Sequence, residues 1–522
     1  MELALTIPIH YVFRDGSWER LSSPRNGGDK NYLEYIYKRP RELAKCIFGI
    51  TFIILGNLAG NALQFGVFMQ RVIDPTCSED DNSCLNNGVI VAWGVGVLSL
   101  CALLNISTRK YTMGLNNLFA VTKLTFVAII TSLGIAYGTI NGNQCRYITW
   151  APKVQTDSAN LGDIALALFY AIYPYTGYEQ PFYVLAEVSR PQQTFAKATM
   201  YAMASVLVLF PLANLSYLCV NPYTGNADLP ENMVIAFIER ISGALPGEHS
   251  PSAVRGVSFL LAFFIFGNLM AQTYTASRVK QEVAKEGILP WSLIFATGND
   301  TLFSRIGSSS RSSADSSHPY REGGCSTSAI RNLDGHHEQA PFAATALHWF
   351  FEVVLLLTVG LTAKEPSNAY GGLTYIYTFV IVGILGLFTV GGVLYLKIDS
   401  WTRGPRSRKW RLKSVWQPWL DPLPAVVATV SLAFLLFAAF LKPSEGKERG
   451  WPWWVGPTVG MGSAVLGIVW WGGLQFVQWA GRWELQTKRL PVVEIDEDGQ
   501  AIQKAELVEH IMVPVEGKAR RR

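Results

Sequence analysis

The amino-acid sequence predicts an all-α polytopic membrane protein, and composition, hydropathy and loop charge each support this fold class. Hydrophobic residues make up 49% of the 522 residues, whereas charged residues make up only 16%. A water-soluble chain usually carries charge at about a quarter of its positions. The chain also has 16 Trp and 46 Gly, which are frequent in and beside membrane helices. The formal net charge of +5 is too small to indicate a nucleic-acid-binding protein, so no nucleic-acid partner is expected.

The apolar segments set the number of helices. About ten segments approach the roughly 20 mostly apolar residues that a membrane-spanning helix requires. They lie near 43–69, 87–105, 115–139, 163–185, 197–220, 254–276, 342–362, 371–396, 423–441 and 453–479.

The charges of the loops predict the orientation. Basic residues are concentrated in 107–114, 189–197, 277–287 and 401–413, whereas the intervening loops are neutral or acidic. Because basic loops stay on the cytoplasmic side, both termini are expected in the cytoplasm. The chain then divides into an N-terminal segment (1–41), a first helix group (42–291), a Ser-rich loop expected to be disordered (292–339), a second helix group (340–481) and a cytoplasmic tail (482–522).

The first full span carries polar residues at membrane depth. Asn57, Asn61 and Gln64 are spaced i, i+4, i+7, so a continuous helix would place them on one face. Such residues either join helices by hydrogen bonds or line a polar cavity, and both interpretations stay open.

The fourth span has the composition of an interrupted helix. Pro174, Thr176, Gly177 and Pro181 fall close together near its centre, so either a local unwinding or a simple proline kink is expected. Unwound backbone at membrane depth is how secondary transporters contact a substrate. Glu179 lies beside the break, and an acid inside a membrane span is a functional candidate.

Two further ionisable residues lie in apolar segments. Lys123 is near the predicted cytoplasmic end of its span, from which its ammonium either reaches the interface or points into the bundle. His348 is flanked by apolar residues and is interpreted as a packing residue. The sequence shows no nucleophile–base–acid set, phosphate loop or metal-ligand spacing, so no catalytic residue, metal or cofactor is expected.

The cysteines leave one question open. Cys77 and Cys84 lie in one acidic loop, and Cys145 lies in another loop predicted on the same side. Two of the three form a disulfide if that side is oxidising, or all three are unpaired thiols.

Several motifs resemble the amino acid–polyamine–organocation (APC) superfamily. They are GGDKNYLEYIYKRPRELAKCIFG, GNLAGNALQFG, YTGYEQPFYVLAEVSRPQQTFAKA and ASRVKQEVAKEGILPWS. Within the superfamily they are most similar to the fungal L-type group that includes methionine permeases. The resemblance implies a LeuT-like bundle of twelve helices built on inverted repeats, of which the chain would hold about ten. The first full span matches the third family helix, so the first family helix and most of the second are expected to be missing.

The resemblance also implies site residues. Tyr173 matches an aromatic gate, and Tyr175, Thr176, Gly177 and Tyr178 match the unwound segment of the sixth family helix. Family members often have Gly-Gly-Trp where this chain has Thr-Gly-Tyr, which leaves the substrate preference open. Asn57, Asn61 and Asn268 are expected to complete the substrate site. Lys123 matches a lysine that replaces sodium in sodium-independent members.

The resemblance implies secondary active import of a neutral amino acid such as methionine, by proton symport with alternating access. Lys123 and Glu179 are the coupling candidates, and the partners are the amino-acid substrate, protons and the lipid bilayer, with the plasma membrane as the location. The alternatives are a non-transporting sensor or degenerate paralogue, and an amino-acid exchanger that requires a partner glycoprotein.

Overall fold

The three-dimensional structure is a computed structural model. It describes residues 2–514 except 8, 15–16, 23–24, 77–85, 141–159, 189–190, 222–231, 242–250, 301–338, 364, 404–421, 445–450 and 496–500. Cys77, Cys84 and Cys145 therefore lie outside the described residues, as does most of the Ser-rich loop.

Short elements precede the first long helix. They are α1 (Glu2–Thr6), the antiparallel strands β1 (Ile9–Arg14) and β2 (Ser17–Ser22), and α2 (Asp29–Ile36). Leu3, Ala4 and Ile7 pack against Tyr32 and Ile36, so that α1 and the following turn share a small apolar cluster with α2.

The first helix group follows. It comprises α3 (Leu43–Leu55), α4 (Ala59–Ile73), α5 (Asn87–Ser107), α6 (Arg109–Ile140), α7 (Leu161–Ile172), the 3₁₀ turn Tyr173–Tyr175, α8 (Gln180–Tyr183), the 3₁₀ turn Leu185–Glu187, α9 (Pro191–Val220), α10 (Met233–Ile241), α11 (Pro251–Ala284) and α12 (Ser292–Ala296). Helix starts follow the local sequence, because Asn86 and Asn160 each accept a hydrogen bond from the backbone N–H two residues later, over 2.8 Å.

The second helix group begins after a short strand pair, β3 (Asn299–Asp300) with β4 (Gln339–Ala340). Its elements are α13 (Phe342–Thr362), α14 (Pro366–Thr378), the π-helical segment Phe379–Leu385, α15 (Gly386–Arg403), α16 (Leu423–Ala438), α17 (Val455–Gly481), and the antiparallel strands β5 (Trp483–Ile495) and β6 (Ala501–Pro514). The tail, expected as a soluble extension, thus begins with a β-hairpin.

The hydropathy prediction of a polytopic membrane protein is confirmed. In the described part of the chain, 8 helical stretches are long and apolar enough to cross a membrane, and α7 with its 3₁₀ turn and α16 are shorter apolar helices at two further predicted positions. Large apolar side chains are exposed on the outer faces, such as Leu103 at 59%, Val121 at 62% and Val469 at 64%. Apolar surface of this extent suits lipid rather than water, and the chain is an integral membrane protein.

The core lies where α3, α4, α11, α13 and α14 meet, around Phe48, Phe52, Phe169 and Phe379. Small residues let backbones approach closely there. A Cβ atom at Gly467 of α17 would lie 2.6 Å from the Cα of Ile47, so only glycine allows this contact between α17 and α3.

Two boundaries differ from the prediction. The first full span is not one helix, because α3 ends at Leu55 and α4 begins at Ala59, so the expected single face of Asn57, Asn61 and Gln64 is wrong. The segment 277–287, predicted as a basic loop, is helical as far as Ala284, and its residues up to that point are buried. Two of its charged side chains have partners elsewhere in the fold, Glu187 for Arg278 and His348 for Lys280, which hydropathy does not reveal.

Candidate functional site

Two helix interruptions lie side by side in the apolar core. The first is the turn Gly56–Leu58 between α3 and α4, and the second is the stretch 173–179 between α7 and α8. The hydroxyl of Tyr173, in the second interruption, donates a hydrogen bond to the side-chain oxygen of Asn61, on the first turn of α4, over 2.7 Å. Backbone that leaves the helical path at membrane depth is tolerated where protein, water or a ligand satisfies it, so this junction is the candidate site.

The first interruption is held by side chains at both ends. Asn57 donates to the carbonyl of Ile54 over 2.9 Å and accepts from the backbone N–H of Ala59 over 3.3 Å. The backbone N–H of Leu58 donates to the carboxylate of Glu352, on α13, over 3.2 Å. Asn57 is therefore a local capping residue, whereas Asn61 reaches the second interruption.

The second interruption occurs where the sequence places Pro174 and Gly177. Pro174 lies in the 3₁₀ turn that follows α7, and Gly177 has a φ of +99°, a conformation that residues with a Cβ adopt with strain. Thr176 donates from its hydroxyl to the carbonyl of Tyr173 over 2.6 Å. The chain is thus unwound rather than only kinked.

Glu179 is buried, and its carboxylate organises this turn. It accepts hydrogen bonds from the Gly177 backbone N–H over 3.0 Å, the Gln180 amide over 3.1 Å and the Tyr377 hydroxyl over 3.3 Å. Tyr377 belongs to α14 and lies two residues before the π-helical segment. Since π-helical turns are often found at functional sites, α14 is a third element of the candidate site.

An aromatic cluster encloses the junction. The Tyr173 ring meets the rings of Tyr370 and Tyr377 edge-on, with each pair of centroids 6.4 Å apart. The ring of Tyr175 instead meets the ring of Phe210 of α9 edge-on, with the two centroids 5.2 Å apart. Tyr178 is 41% exposed. Three aromatic residues were expected at the site, namely Tyr173, Tyr175 and Tyr178. Of these, Tyr173 is the one with a described hydrogen bond to α4.

Two other expected site residues, Asn268 and Lys123, have no described hydrogen bond to this junction. Asn268 is exposed on α11, and no described hydrogen bond joins it to Tyr173, Asn61 or Glu179. Lys123 is half-buried on α6, and within the described ranges it has no hydrogen bond or ion pair. The structure therefore groups Tyr173, Thr176, Gly177, Glu179 and Asn61, and leaves Asn268 and Lys123 as separate expectations.

Asp29, at the start of α2, was not singled out by the sequence pattern. It accepts a hydrogen bond from Thr389 of α15 over 3.3 Å. Burial, together with the negative charge of Glu179, raises the pKa of Asp29 to about 7. The acidic residue in the motif GGDKNYLEY was the signal that the sequence offered for Asp29. Its proximity to Glu179, however, depends on how α2 packs in the bundle.

A network of charged side chains joins α2 and α3 to the end of α11. Buried Glu286 accepts from Lys30 and, over 2.7 Å, from Lys45. Arg278 of α11 pairs with Glu187 over 2.7 Å, which links α11 to the segment after α8. These ion pairs hold segments together on the side of the bundle that the loop charges predict to be cytoplasmic.

Helices interrupted at membrane depth and joined by polar side chains are the architecture of secondary transporters, and they define the class of fold to which this chain belongs. The sequence profile of amino acid permeases matches residues 17–469. The chain belongs to the amino acid permease family, which confirms the family resemblance.

The chain is similar to two methionine permeases of Saccharomyces cerevisiae. It is 23% identical to the high-affinity methionine permease over 467 residues, which cover 88% of this chain and 68% of the permease. It is 22% identical to the low-affinity methionine permease over 292 residues, or 54% of this chain and 49% of the permease.

A mammalian relative is also similar. The large neutral amino acids transporter small subunit 2 of Homo sapiens is 24% identical over 271 residues, which cover 51% of this chain and 47% of the relative. The chain thus matches about two thirds of the length of one curated relative and about half of the others.

Proposed function

We propose that the protein is a secondary active transporter that imports a neutral amino acid such as methionine by proton symport with alternating access. The observation that carries this proposal is the Tyr173–Asn61 hydrogen bond, which joins two interrupted helices in the apolar core. A substrate that contacts both interruptions would exchange this bond for its own polar contacts. Because the bond spans α4 and the segment after α7, its replacement is suited to moving one group of helices against another.

The side chains around the junction favour a small zwitterion with an apolar side chain. Tyr173, Tyr370 and Tyr377 offer aromatic surface, while Thr176, Asn61 and Glu179 offer polar groups. The printed names of the relatives support the same substrate class, since two are methionine permeases and one is a large neutral amino acids transporter subunit.

Proton coupling is assigned to Glu179, with Lys123 as the second candidate. Glu179 is held by Gly177 at the interruption and by Tyr377 of α14, so a change in its charge would alter contacts at both elements. Lys123 is half-buried on α6. Its ammonium would contribute to proton coupling by binding a group that comes within reach in another conformation of the transporter. We further propose the plasma membrane as the location, with both termini in the cytoplasm.

Uptake in yeast tests the proposal. The chain is produced in a strain that lacks methionine permeases, and labelled methionine uptake is measured at acidic external pH with and without a protonophore. We expect uptake that the protonophore suppresses, and we expect Glu179→Gln to weaken this dependence while Glu239→Gln on α10 does not. Labelled leucine and phenylalanine serve as competing neutral amino acids.

The outcomes separate the alternatives. Uptake that requires internal amino acid and ignores the protonophore would establish an exchanger instead. Correct delivery to the plasma membrane, verified with a fluorescent tag, without any amino-acid binding or uptake would favour the non-transporting protein.

A further inference from the structure

Three ionisable side chains form a buried line that belongs neither to the Tyr173–Asn61 junction nor to the Glu286 network. Lys280 of α11 and His348 and Glu352 of α13 are each at most 1% exposed. The Lys280 ammonium nitrogen lies 3.0 Å from Nδ1 of His348, and Nε2 of His348 lies 3.5 Å from a carboxylate oxygen of Glu352. His348, expected to be a packing residue, is buried in the core, and its ring lies between an amine and an acid.

The line has a direction. Lys280 is four residues from the end of α11, on the side where Glu286 binds Lys30 and Lys45. Glu352 is at the middle of α13, and its other carboxylate oxygen accepts the backbone N–H of Leu58 at the α3–α4 interruption. The line thus runs from the predicted cytoplasmic side to the interruption that carries Asn61.

The surroundings contain few other ionisable groups. From α5, the Cys101 thiol is within electrostatic range of Glu352, and from α13 itself the Phe351 ring lies 5.9 Å from the Lys280 ammonium. From α3 and α4, the described contact is the Leu58 backbone N–H. Among described residues, Lys280, His348, Glu352 and Cys101 are the ionisable groups that interact with one another here.

Packing alone does not account for this arrangement. Replacing a buried ion pair by apolar residues of similar size is often neutral or stabilising, so such pairs are weak contributors to stability. Ionisable residues inside membrane proteins typically mark ion pathways and proton relays. The imidazole in the middle has Nδ1 within hydrogen-bond distance of the Lys280 nitrogen, whereas Nε2, 3.5 Å from Glu352, has no described hydrogen bond here, so a small approach of the two side chains completes the path from acid to amine.

We propose that Glu352, His348 and Lys280 form a proton relay that binds the transported proton beside the α3–α4 interruption and passes it toward the predicted cytoplasmic side. This inference rests on the proposed proton symport and adds a release path downstream of Glu179, the coupling residue of that proposal. Glu352 gives its proton to Nε2 of His348 while Nδ1 of His348 gives its own proton to the neutral Lys280 amine. At the ring, the Nδ1–H bond breaks and an Nε2–H bond forms. Glu352 becomes a carboxylate, and Lys280 becomes an ammonium.

Lys280 then releases the proton when the cytoplasmic side opens, the imidazole of His348 returns to its Nδ1–H tautomer, and Glu352 accepts another proton from the opposite side. The Leu58 N–H bond connects this cycle to the substrate. A carboxylate is a stronger hydrogen-bond acceptor than a neutral carboxyl, so proton binding weakens the hold of α13 on the interruption. Asn61 lies three residues beyond Leu58 and carries the bond to Tyr173, so the same local rearrangement reaches the candidate substrate site.

Lys280→Arg separates a relay from a purely structural charge, because arginine keeps the positive charge but does not give up its proton in proteins. Glu352→Gln keeps the shape and removes the proton-binding group. Lys285→Arg, which makes the same chemical change at the end of α11, is the matched control. If a single variant does not fold, the double variant Lys280→Met/Glu352→Gln, which removes both charges, is measured in its place.

The variants are measured in liposomes with labelled methionine, first as exchange at equal pH and then as uptake driven by an inside-alkaline gradient. One pH unit raises the accumulation of a one-proton symporter by up to about tenfold. We expect Lys280→Arg to keep exchange while the gradient no longer stimulates uptake, and we expect Glu352→Gln to lose the response to the gradient. Lys285→Arg should respond as the unmodified protein does. A normal gradient response in Lys280→Arg, or loss of exchange together with the gradient response, would overturn the relay.

Infrared difference spectroscopy decides the relay independently of transport. A pH step should reveal the carbonyl stretch of a protonated carboxyl group that is absent in Glu352→Gln. If the unmodified protein neither exchanges nor accumulates any neutral amino acid, the proposed function fails, and this band still decides whether Glu352 binds a proton. An identical band in the unmodified protein and Glu352→Gln overturns the relay even where transport is normal.

Discussion

The hydroxyl of Tyr173 donates a 2.7 Å hydrogen bond to the side-chain oxygen of Asn61, and the two residues lie 112 positions apart in the chain. Each belongs to a different helix interruption, so this bond joins the two places where the backbone departs from regular helix in the core. The packing of these two segments against each other therefore depends on it.

Tyr173→Phe removes this hydrogen bond but keeps the aromatic ring. We expect a loss of about 1 kcal/mol in stability, because buried Asn61 loses its partner while the membrane-embedded unfolded state also finds hydrogen-bond partners. Thermal unfolding of the purified protein in detergent measures this loss. Tyr175→Phe is the control, since the Tyr175 ring packs on Phe210 and no described hydrogen bond uses its hydroxyl. Equal stability of the two variants would contradict the prediction.

Gly177→Ala strains the second interruption without a steric clash. The φ of Gly177 is +99°, and the nearest atom to an added Cβ is Cγ of Gln180 at 4.0 Å. The cost is therefore in the backbone, about 1–2 kcal/mol. Gly96→Ala is the control, because Gly96 is within α5 and has open space around it, so alanine should stabilise the helix by up to about 1 kcal/mol. Thermal unfolding that shifts in the same direction for both variants would refute this explanation.

The raised pKa of Asp29 predicts how the stability of the protein depends on pH. Its pKa is raised from 3.8 to about 7 by burial and by the charge of Glu179, so the fold favours the protonated carboxyl. The stabilisation that comes from protonated Asp29 is fully present below pH 3.8 and is lost as the pH rises through about 7. Asp29→Asn cannot ionise and keeps the oxygen that accepts from Thr389, so it should be more stable than the unmodified protein at pH 8. The advantage should shrink as the pH falls toward 4, roughly the ordinary pKa of an aspartate.

Asp74→Asn is the matched control for this titration. Hydrogen bonds from the hydroxyl and backbone N–H of Thr76 lower the pKa of Asp74, so its contribution is lost only at acidic pH. The difference between Asp74→Asn and the unmodified protein should therefore stay constant across the range in which Asp29→Asn changes. A melting-temperature difference for Asp29→Asn that does not vary with pH would disprove the assignment.

Glu286→Gln tests the buried charge network. Removing the negative charge leaves Lys30, which is 1% exposed, without its buried partner, although Glu34 remains 3.3 Å away. We expect a loss of about 3 kcal/mol, as is found when one member of a buried pair is removed. Arg41→Gln breaks the exposed pair with Glu484 and should cost at most about 1 kcal/mol. Thermal unfolding compares the two, and a loss at Arg41 as large as that at Glu286 would contradict the burial argument.

Part of the candidate site could be predicted because its cause is local. Pro174 lacks a backbone donor and Gly177 tolerates a positive φ, so the interruption after α7 follows from residues within the segment itself. The interruption at Gly56–Leu58 could not be predicted in this way, because its sequence is also compatible with a helix. Its N–H at Leu58 is satisfied by Glu352, a residue 294 positions away.

The partners of charged residues were the least predictable feature. Lys280 lies in a stretch that a count of charges assigns to a loop, yet α11 continues through it, and the Lys280 nitrogen lies 3.0 Å from Nδ1 of His348. An acid at the centre of the apolar run FFEVVLLL was a usable signal for Glu352, since such a residue needs a partner in the bundle. The identity of that partner depends on which helices are neighbours.

The sequence by itself determined a membrane-embedded helical protein whose helix is kinked or unwound near Gly177, because hydropathy, proline and glycine act within a single segment, and its motifs indicated the permease family. The tertiary structure alone decided that Tyr173 meets Asn61, that Glu352 holds Leu58 and that His348 bridges Lys280 and Glu352. Polar groups in an apolar core take whichever partner packing brings within hydrogen-bond distance, so these pairings arise only once the helices are assembled.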